Sequence, residues 1–216
     1  MNLNMTRRIT KIMNYGVFVV FLLGLMSCQE DPPLPTTFET HYLPTEAKQL
    51  FFSNVGDTLI YRDSISGVYD TAFCTRGGYQ LIKSTYDGHV LFEEEAIVQT
   101  YYHTFHRKDF YYISRLLLFK DGRKYFDITE SGSDIFLRFP LTVGDSLPNG
   151  GSVGYSKLSA FYPTIQIDGK LFSNVYLVKR KVVYARSAGD ADYYLARGKG
   201  IIAIRDYKSN KLWVLQ

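Results

Sequence analysis

Val90-Leu-Phe-Glu-Glu-Glu-Ala-Ile-Val-Gln-Thr-Tyr-Tyr-His-Thr104 decides the fold, because it is rich in apolar and aromatic residues yet shows no helical repeat. As an extended chain its side chains alternate, so Leu91, Glu93, Glu95 and Ile97 share one face. It follows the turn dipeptide Asp87-Gly88 and precedes a second apolar run, 110–119, which is how a hairpin ladder reads. From Leu50 onward the same pattern recurs, with candidate strands over 58–62, 68–75, 79–84, 90–104, 110–119, 124–129, 135–139, 156–162, 171–185, 193–196, 201–206 and 212–215. Strands of this number predict an all-β domain, a single antiparallel β-sandwich or open barrel of about 10–13 strands.

The turns agree with that reading. Asp87-Gly88, Asp121-Gly122 and Asp168-Gly169 each lie between strand-like runs, and both residues tolerate the positive φ of a type I′ hairpin. A last hairpin turns at Lys208-Ser-Asn-Lys211 and brings Trp213, the only tryptophan, to the core or its rim. Phe51-x-x-x-Val55-Gly-Asp-Thr-Leu59 recurs as Phe139-x-x-x-Val143-Gly-Asp-Ser-Leu147, which suggests two related β units opened by the same turn. Thr45–Gln49 could form a short helical turn with Thr45 as its N-cap.

No complete catalytic set can be assembled, and no cofactor or metal site is expected. Gly150-Gly-Ser152-Val-Gly154 matches the Gly-x-Ser-x-Gly elbow of hydrolases, but an elbow needs a following helix and a later histidine. Here a strand-like run follows, and His41, His89, His103 and His106 all precede Ser152. His103 and His106, three apart on a strand, point to opposite faces. Glu93 and Glu95 share a face, as a carboxylate pair or a calcium site could require, though a solvated polar face is the commoner use. Gly198-Lys199-Gly200 lacks the upstream glycine of a phosphate loop and reads as a turn. The compositional excess is aromatic: the doublets Tyr101-Tyr102, Tyr111-Tyr112 and Tyr193-Tyr194 each place one ring on either face of a strand. One ring of each can fill the core while the other is offered to a sugar or a protein.

The start of the chain is of another kind. A basic lead with Arg7, Arg8 and Lys11 precedes an apolar run from Gly16 to Met26, about eleven residues, where a membrane-spanning helix needs roughly twenty. The run ends in Leu25-Met26-Ser27-Cys28, which resembles the lipobox of bacterial lipoproteins. That resemblance implies cleavage between Ser27 and Cys28 and lipid attachment at Cys28, with two or three acyl chains making a stable anchor. Thr6-Arg7-Arg8-Ile9 resembles a twin-arginine signal but continues with Thr10 and Lys11 instead of apolar residues. Tyr194-Leu-Ala-Arg-Gly-Lys-Gly200 is similar to the closing segment of uncharacterised β-rich envelope lipoproteins of Gram-negative bacteria. Gln29 in place of aspartate implies an outer-membrane lipoprotein, on the periplasmic side or, through Glu30-Asp31, at the cell surface.

These readings divide the chain into a signal peptide over 1–27, a lipidated, proline-rich tether over 28–46 and a β-rich domain over 47–216. Four of the seven prolines fall in the tether. Three of the 25 basic residues and none of the 21 acidic ones precede Cys28, so the remaining 189 residues carry 22 against 21. A net charge near +1 offers no clustered basic face for nucleic acid. With Cys28 lipidated, Cys74 has no disulfide partner and reads as a small buried hydrophobe. The expected function is therefore a lipid-anchored envelope module, binding or structural, that takes a protein, a glycan or a small apolar ligand without catalysis. The alternative is an envelope hydrolase acting on polysaccharide or peptide through Glu93–Glu95 or Ser152.

Overall fold

The computed structural model describes residues 39–51, 53–86, 89–103, 108–118, 123–130, 134–148, 154–182 and 190–216, with backbone alone at 86, 89–90, 108–118, 130 and 182. Among them are fourteen strands and one short helix. The first half comprises β1 (Thr40–His41), α1 (Thr45–Leu50), β2 (Thr58–Asp63), β3 (Tyr69–Arg76), β4 (Tyr79–Tyr86), β5 (His89–His103), β6 (Lys108–Leu118) and β7 (Lys124–Glu130). The second half comprises β8 (Asp134–Phe139), β9 (Ser146–Pro148), β10 (Gly154–Ile167), β11 (Lys170–Val182), β12 (Ala191–Ala196), β13 (Gly200–Asp206) and β14 (Lys211–Leu215).

The protein is thus all-β, and each of the twelve expected strands is present, with residues 104, 119 and 183–185 of the expected ranges lying outside the described residues. The fourteen strands form one ladder in the order β8-β7-β6-β5-β3-β2-β14-β13-β12-β11-β10-β9, with β1 and β4 paired to β5 off this path. All the pairings are antiparallel except β1 on β5, which is parallel and sets Thr40 opposite Glu93 and His41 opposite Glu94. β5 is the hinge of the ladder. Its second half, Val98 to His103, lies between β3 and β6, whereas His89 to Ile97 pairs with β4. β3 and β4 therefore run end to end along one edge of β5, broken at Gly77-Gly78. A side chain at Gly77 would sit 2.5 Å from the Ser53 carbonyl oxygen, and Gly78 has a φ of 111°, so only glycines allow this break.

The sheet curls until its two ends approach, making an open barrel whose ladder does not close. Residues from both ends fill one core: Phe126 and Ile128 of β7, Phe136, Leu137 and Phe139 of β8, Leu158 of β10, Val178 of β11 and Leu195 of β12. Arg180 of β11 reaches Asp134 of β8 at 2.7 Å across the gap. Asp127 and Arg138, direct cross-strand partners, make a two-pronged ion pair at 2.6 and 2.7 Å. α1 enters this interior and buries Ala47 and Leu50 completely.

The β10–β11 hairpin adds a second layer. It turns at Asp168-Gly169, where φ is 48° and 77°, as the Asp-Gly pattern predicts. Beyond a bend at Asn174, itself at φ 53°, Ile167 and Phe172 pack with Ala196, Ile202 and Val214 on the outer face of β12–β14. β10 runs through Pro163, beyond the expected end at residue 162, because β9 pairs only with residues 155–157 and leaves that edge unpaired.

Two boundaries move. The folded unit begins at Glu39, so residues 39–46, expected in the tether, belong to the domain. His41 and Leu43 are buried there, because β1 completes an edge of β5. Pro44, not Thr45, is the residue preceding the helix, and no side chain caps it.

Phe136 is the clearest test of the core. It is 1% exposed and meets Phe51 and Tyr193 edge-on, with ring centroids at 6.4 and 5.0 Å. Phe136→Ala should lower unfolding free energy by about 3–5 kcal/mol, read from urea midpoints, because the cavity is walled by three separate elements and cannot collapse.

Candidate functional site

In β2 and β3 the alternation is regular: Leu59, Tyr61 and Asp63, with Asp70, Ala72 and Cys74, turn inward. Thr58, Ile60 and Arg62, with Tyr69, Thr71 and Phe73, turn outward. Phe73 lies directly opposite Tyr102 of β5 and opposite Thr58 of β2, while Ile60 faces Thr71 and Arg62 faces Tyr69. The outward face of β2–β3–β5 thus carries Ile60, Tyr69, Phe73 and Tyr102, which are 45, 60, 41 and 37% exposed. Cross-strand partners stand about 5 Å apart and diagonal ones about 7–8 Å, so these side chains form one apolar platform with a hydroxyl-bearing rim.

Beneath the platform lies a buried polar network. Asp70 is bonded to His103 Nδ1 at 2.9 Å, and the His103 ring stacks on Tyr61 at 6.3 Å between centroids. The Tyr61 hydroxyl donates to the Ile201 carbonyl at 2.8 Å. Tyr101 donates to Ser53 Oγ at 2.6 Å, and the Gln99 amide donates to the Phe51 carbonyl at 2.6 Å. Burial drives the Tyr61 phenol far above its ordinary range and pushes Tyr101 up to about 12. A platform backed in this way is held rigid.

At the end of the barrel that receives α1, side chains from distant strands hold the helix. Glu95 accepts from the Leu43 amide at 3.1 Å and pairs with Lys48 at 2.7 Å. Tyr79 donates to the Lys48 carbonyl at 3.0 Å. Glu46 accepts from Tyr176 at 2.5 Å and is paired with Arg197. The Gly198 amide donates to the Gln49 carbonyl at 2.8 Å. The turn at residues 197–200 is therefore part of the socket of the helix, a role its sequence does not announce.

The other expected residues fall as follows. Tyr101 and Tyr102 divide between interior and exterior, as a doublet on a strand requires. Tyr193 and Tyr194 do not offer a ring outward: Tyr193 belongs to the main core and Tyr194 packs on the second, since the bent hairpin covers the other side of β12. Tyr111 and Tyr112 pair by backbone with Thr100 and Gln99, and their side chains lie outside the described residues. Glu93 pairs with Lys83 at 3.6 Å, so both members of the Glu93/Glu95 pair serve contacts within the fold. His106, Ser152, Ser27 and Cys28 lie outside the described residues. Cys74 is buried, and burial raises its thiol pKa, with Asp57 adding to the effect. Trp213 is 4% exposed and joins Tyr61 and Ala72 in a small inner cluster.

Among the described residues, no three His, Cys, Asp or Glu side chains gather as metal ligands, and no helix is long and apolar enough to cross a membrane. Comparison with protein-family models, curated proteins and solved structures finds no match to this chain.

The network has a pH signature. An unfolded tyrosine titrates near 10, so a phenol raised to about 12 contributes stability that is complete below pH 10 and lost as pH rises through 12. Tyr101→Phe should remove on the order of 2 kcal/mol of the fall in stability between pH 10 and 12, measured by urea unfolding, leaving the share due to Tyr61.

Proposed function

We infer that this chain is an envelope lipoprotein, anchored through lipid on Cys28, whose β domain is a non-catalytic module recognising a protein or a glycan. Recognition occurs on the outward face of β2–β3–β5, where Phe73 and Tyr102 stand side by side. The observation that carries this reading is the pairing of an exposed aromatic platform with a filled interior. Phe136, Phe139, Ile128, Leu137 and Leu195, each at most 1% exposed, occupy the space a carried ligand would need, so binding belongs to the surface. Flat aromatic and hydroxyl-bearing faces suit sugar rings and the apolar centres of protein interfaces alike. The signal and lipobox at 1–28 support the anchor. The alternative, an envelope hydrolase, has less to rest on, because Glu95 is engaged by Leu43 and Lys48 and Glu93 by Lys83.

Cys28→Ala should abolish incorporation of a palmitate analogue and release the protein from the membrane fraction; persistent labelling would exclude the lipobox. Phe73→Ser with Tyr102→Ser should reduce binding in an envelope pull-down or glycan array roughly tenfold or more, as for loss of interface aromatics, with unchanged thermal unfolding. Equal capture by the wild type and the double variant would exclude the platform as the site.

A further inference from the structure

The repeated motif proves to be one structural device used twice. Gly56 and Gly144 have φ values of 92° and 103°. Gly56 N–H donates to the Cys74 carbonyl at 2.9 Å, as Gly144 N–H does to that of Leu158 at 2.7 Å. In return Cys74 and Leu158 N–H donate to the Asp57 and Asp145 carbonyls at 2.9 and 3.0 Å. Phe51 and Phe139 anchor the two turns in the core, which leaves Val55 and Val143 at the tips, 65 and 54% exposed.

Both tips lie at the end of the barrel where the domain begins. Val55 lies in the turn between α1 and β2, and α1 is bonded through Gln49 to the β12–β13 turn at Gly198. Val143 follows β8, whose last residue, Phe139, is opposite Phe126 at the start of β7, and Lys124 of β7 is bonded to Glu39 and His41. The same end carries Tyr42, 67% exposed, and the tip of the β10–β11 hairpin, where Leu171 is 72% exposed and Lys170 is bonded to the Leu215 carbonyl. Four bulky apolar side chains thus project from four separate segments at one end.

We propose that this end is a lipid-contacting surface, on which Tyr42, Val55, Val143 and Leu171 dip into the interface of the bilayer that holds the anchor. The proposal rests on the lipoprotein reading. Only residues 29–38 separate Cys28 from Glu39. At about 3 Å per residue a chain of that length spans at most about 30 Å, which limits how far Glu39 can stand from the bilayer. Apolar side chains on projecting turns bind the headgroup boundary in proportion to the area they bury there. The platform around Phe73 and Tyr102 lies on the outer wall of β2–β3–β5 and borders this end, since Gly56 is bonded to Cys74, the neighbour of Phe73.

The test uses lipidated full-length protein in vesicles of phosphatidylethanolamine and phosphatidylglycerol. Leu171→Cys, Val143→Cys and, on the β2–β3 turn at the opposite end, Ile65→Cys are each labelled with an environment-sensitive dye, Cys28 being acylated and Cys74 buried. Dyes at 171 and 143 should shift to the blue and be quenched by lipid-borne nitroxide, and the dye at 65 should not. Equal quenching at 65, or none at 171 and 143, overturns the proposal. Palmitate labelling of Cys28 is read on the same preparations, and lipid-free Cys28→Ala protein is tested for flotation with the vesicles. Adding Tyr42→Ser and Leu171→Ser to that protein should weaken flotation roughly tenfold, as for removal of buried apolar side chains. Rim insertion by Cys28→Ala protein that shows no palmitate on its parent sinks the anchor alone; an acylated Cys28 with solvent-exposed dyes sinks the rim alone.

Discussion

A sheet of this length has one inner face to bury and, among the described residues, no second sheet to lay against it, and that constraint shapes the molecule. Antiparallel strands twist, and a twisted ladder of many strands reduces its exposed inner face by rolling on itself. The roll brings Asp134 of β8 within reach of Arg180 of β11 and merges the side chains of both ends of the ladder into one core. It also creates an open mouth. α1 fills that mouth with Ala47 and Leu50, which explains why a segment of six residues, too short to hold a helix alone even with good helix formers, is helical at all: its stability comes from the wall it packs against.

The helix in turn explains several residues that look chemical in isolation. Glu95, the obvious candidate carboxylate, serves the Leu43 amide and Lys48, and the Gly198 amide serves a helix carbonyl. A short helix has unsatisfied backbone groups at both ends, and in a buried setting each needs a partner. The residues that supply them come from β5, β4 and the β12–β13 turn. The domain therefore joins its first residues to its last third through polar contacts, while apolar packing provides the bulk of its stability.

Local pattern was enough for much of this. Turn residues bounded strands that carry β-branched and aromatic side chains, so the strands and the turns at Asp168-Gly169 and Lys208–Lys211 follow from chain chemistry. β1 and β9 escape notice because two or three residues show no alternation; they exist only because a neighbouring edge needs pairing. The start of the domain was read late for the same reason, since Glu39–Glu46 becomes structured only against β5 and Arg197. At the platform, the Tyr101-Tyr102 doublet was legible, yet Phe73 and Ile60 were not, because nothing local says that their strands neighbour β5.

The sequence by itself determined the all-β class, the strand periods and turns and the near balance of charge after Cys28, all consequences of local chemistry and composition. Tertiary structure alone decided which side of each strand is covered. A period of two assigns alternate residues to opposite faces without naming the inner one, and a second layer can bury both, as it does at Tyr193 and Tyr194. The exposed platform of Phe73 and Tyr102 and the apolar end bearing Val55 and Val143 are therefore products of how the sheet rolls and where its hairpins bend, which depends on contacts between residues far apart in the chain.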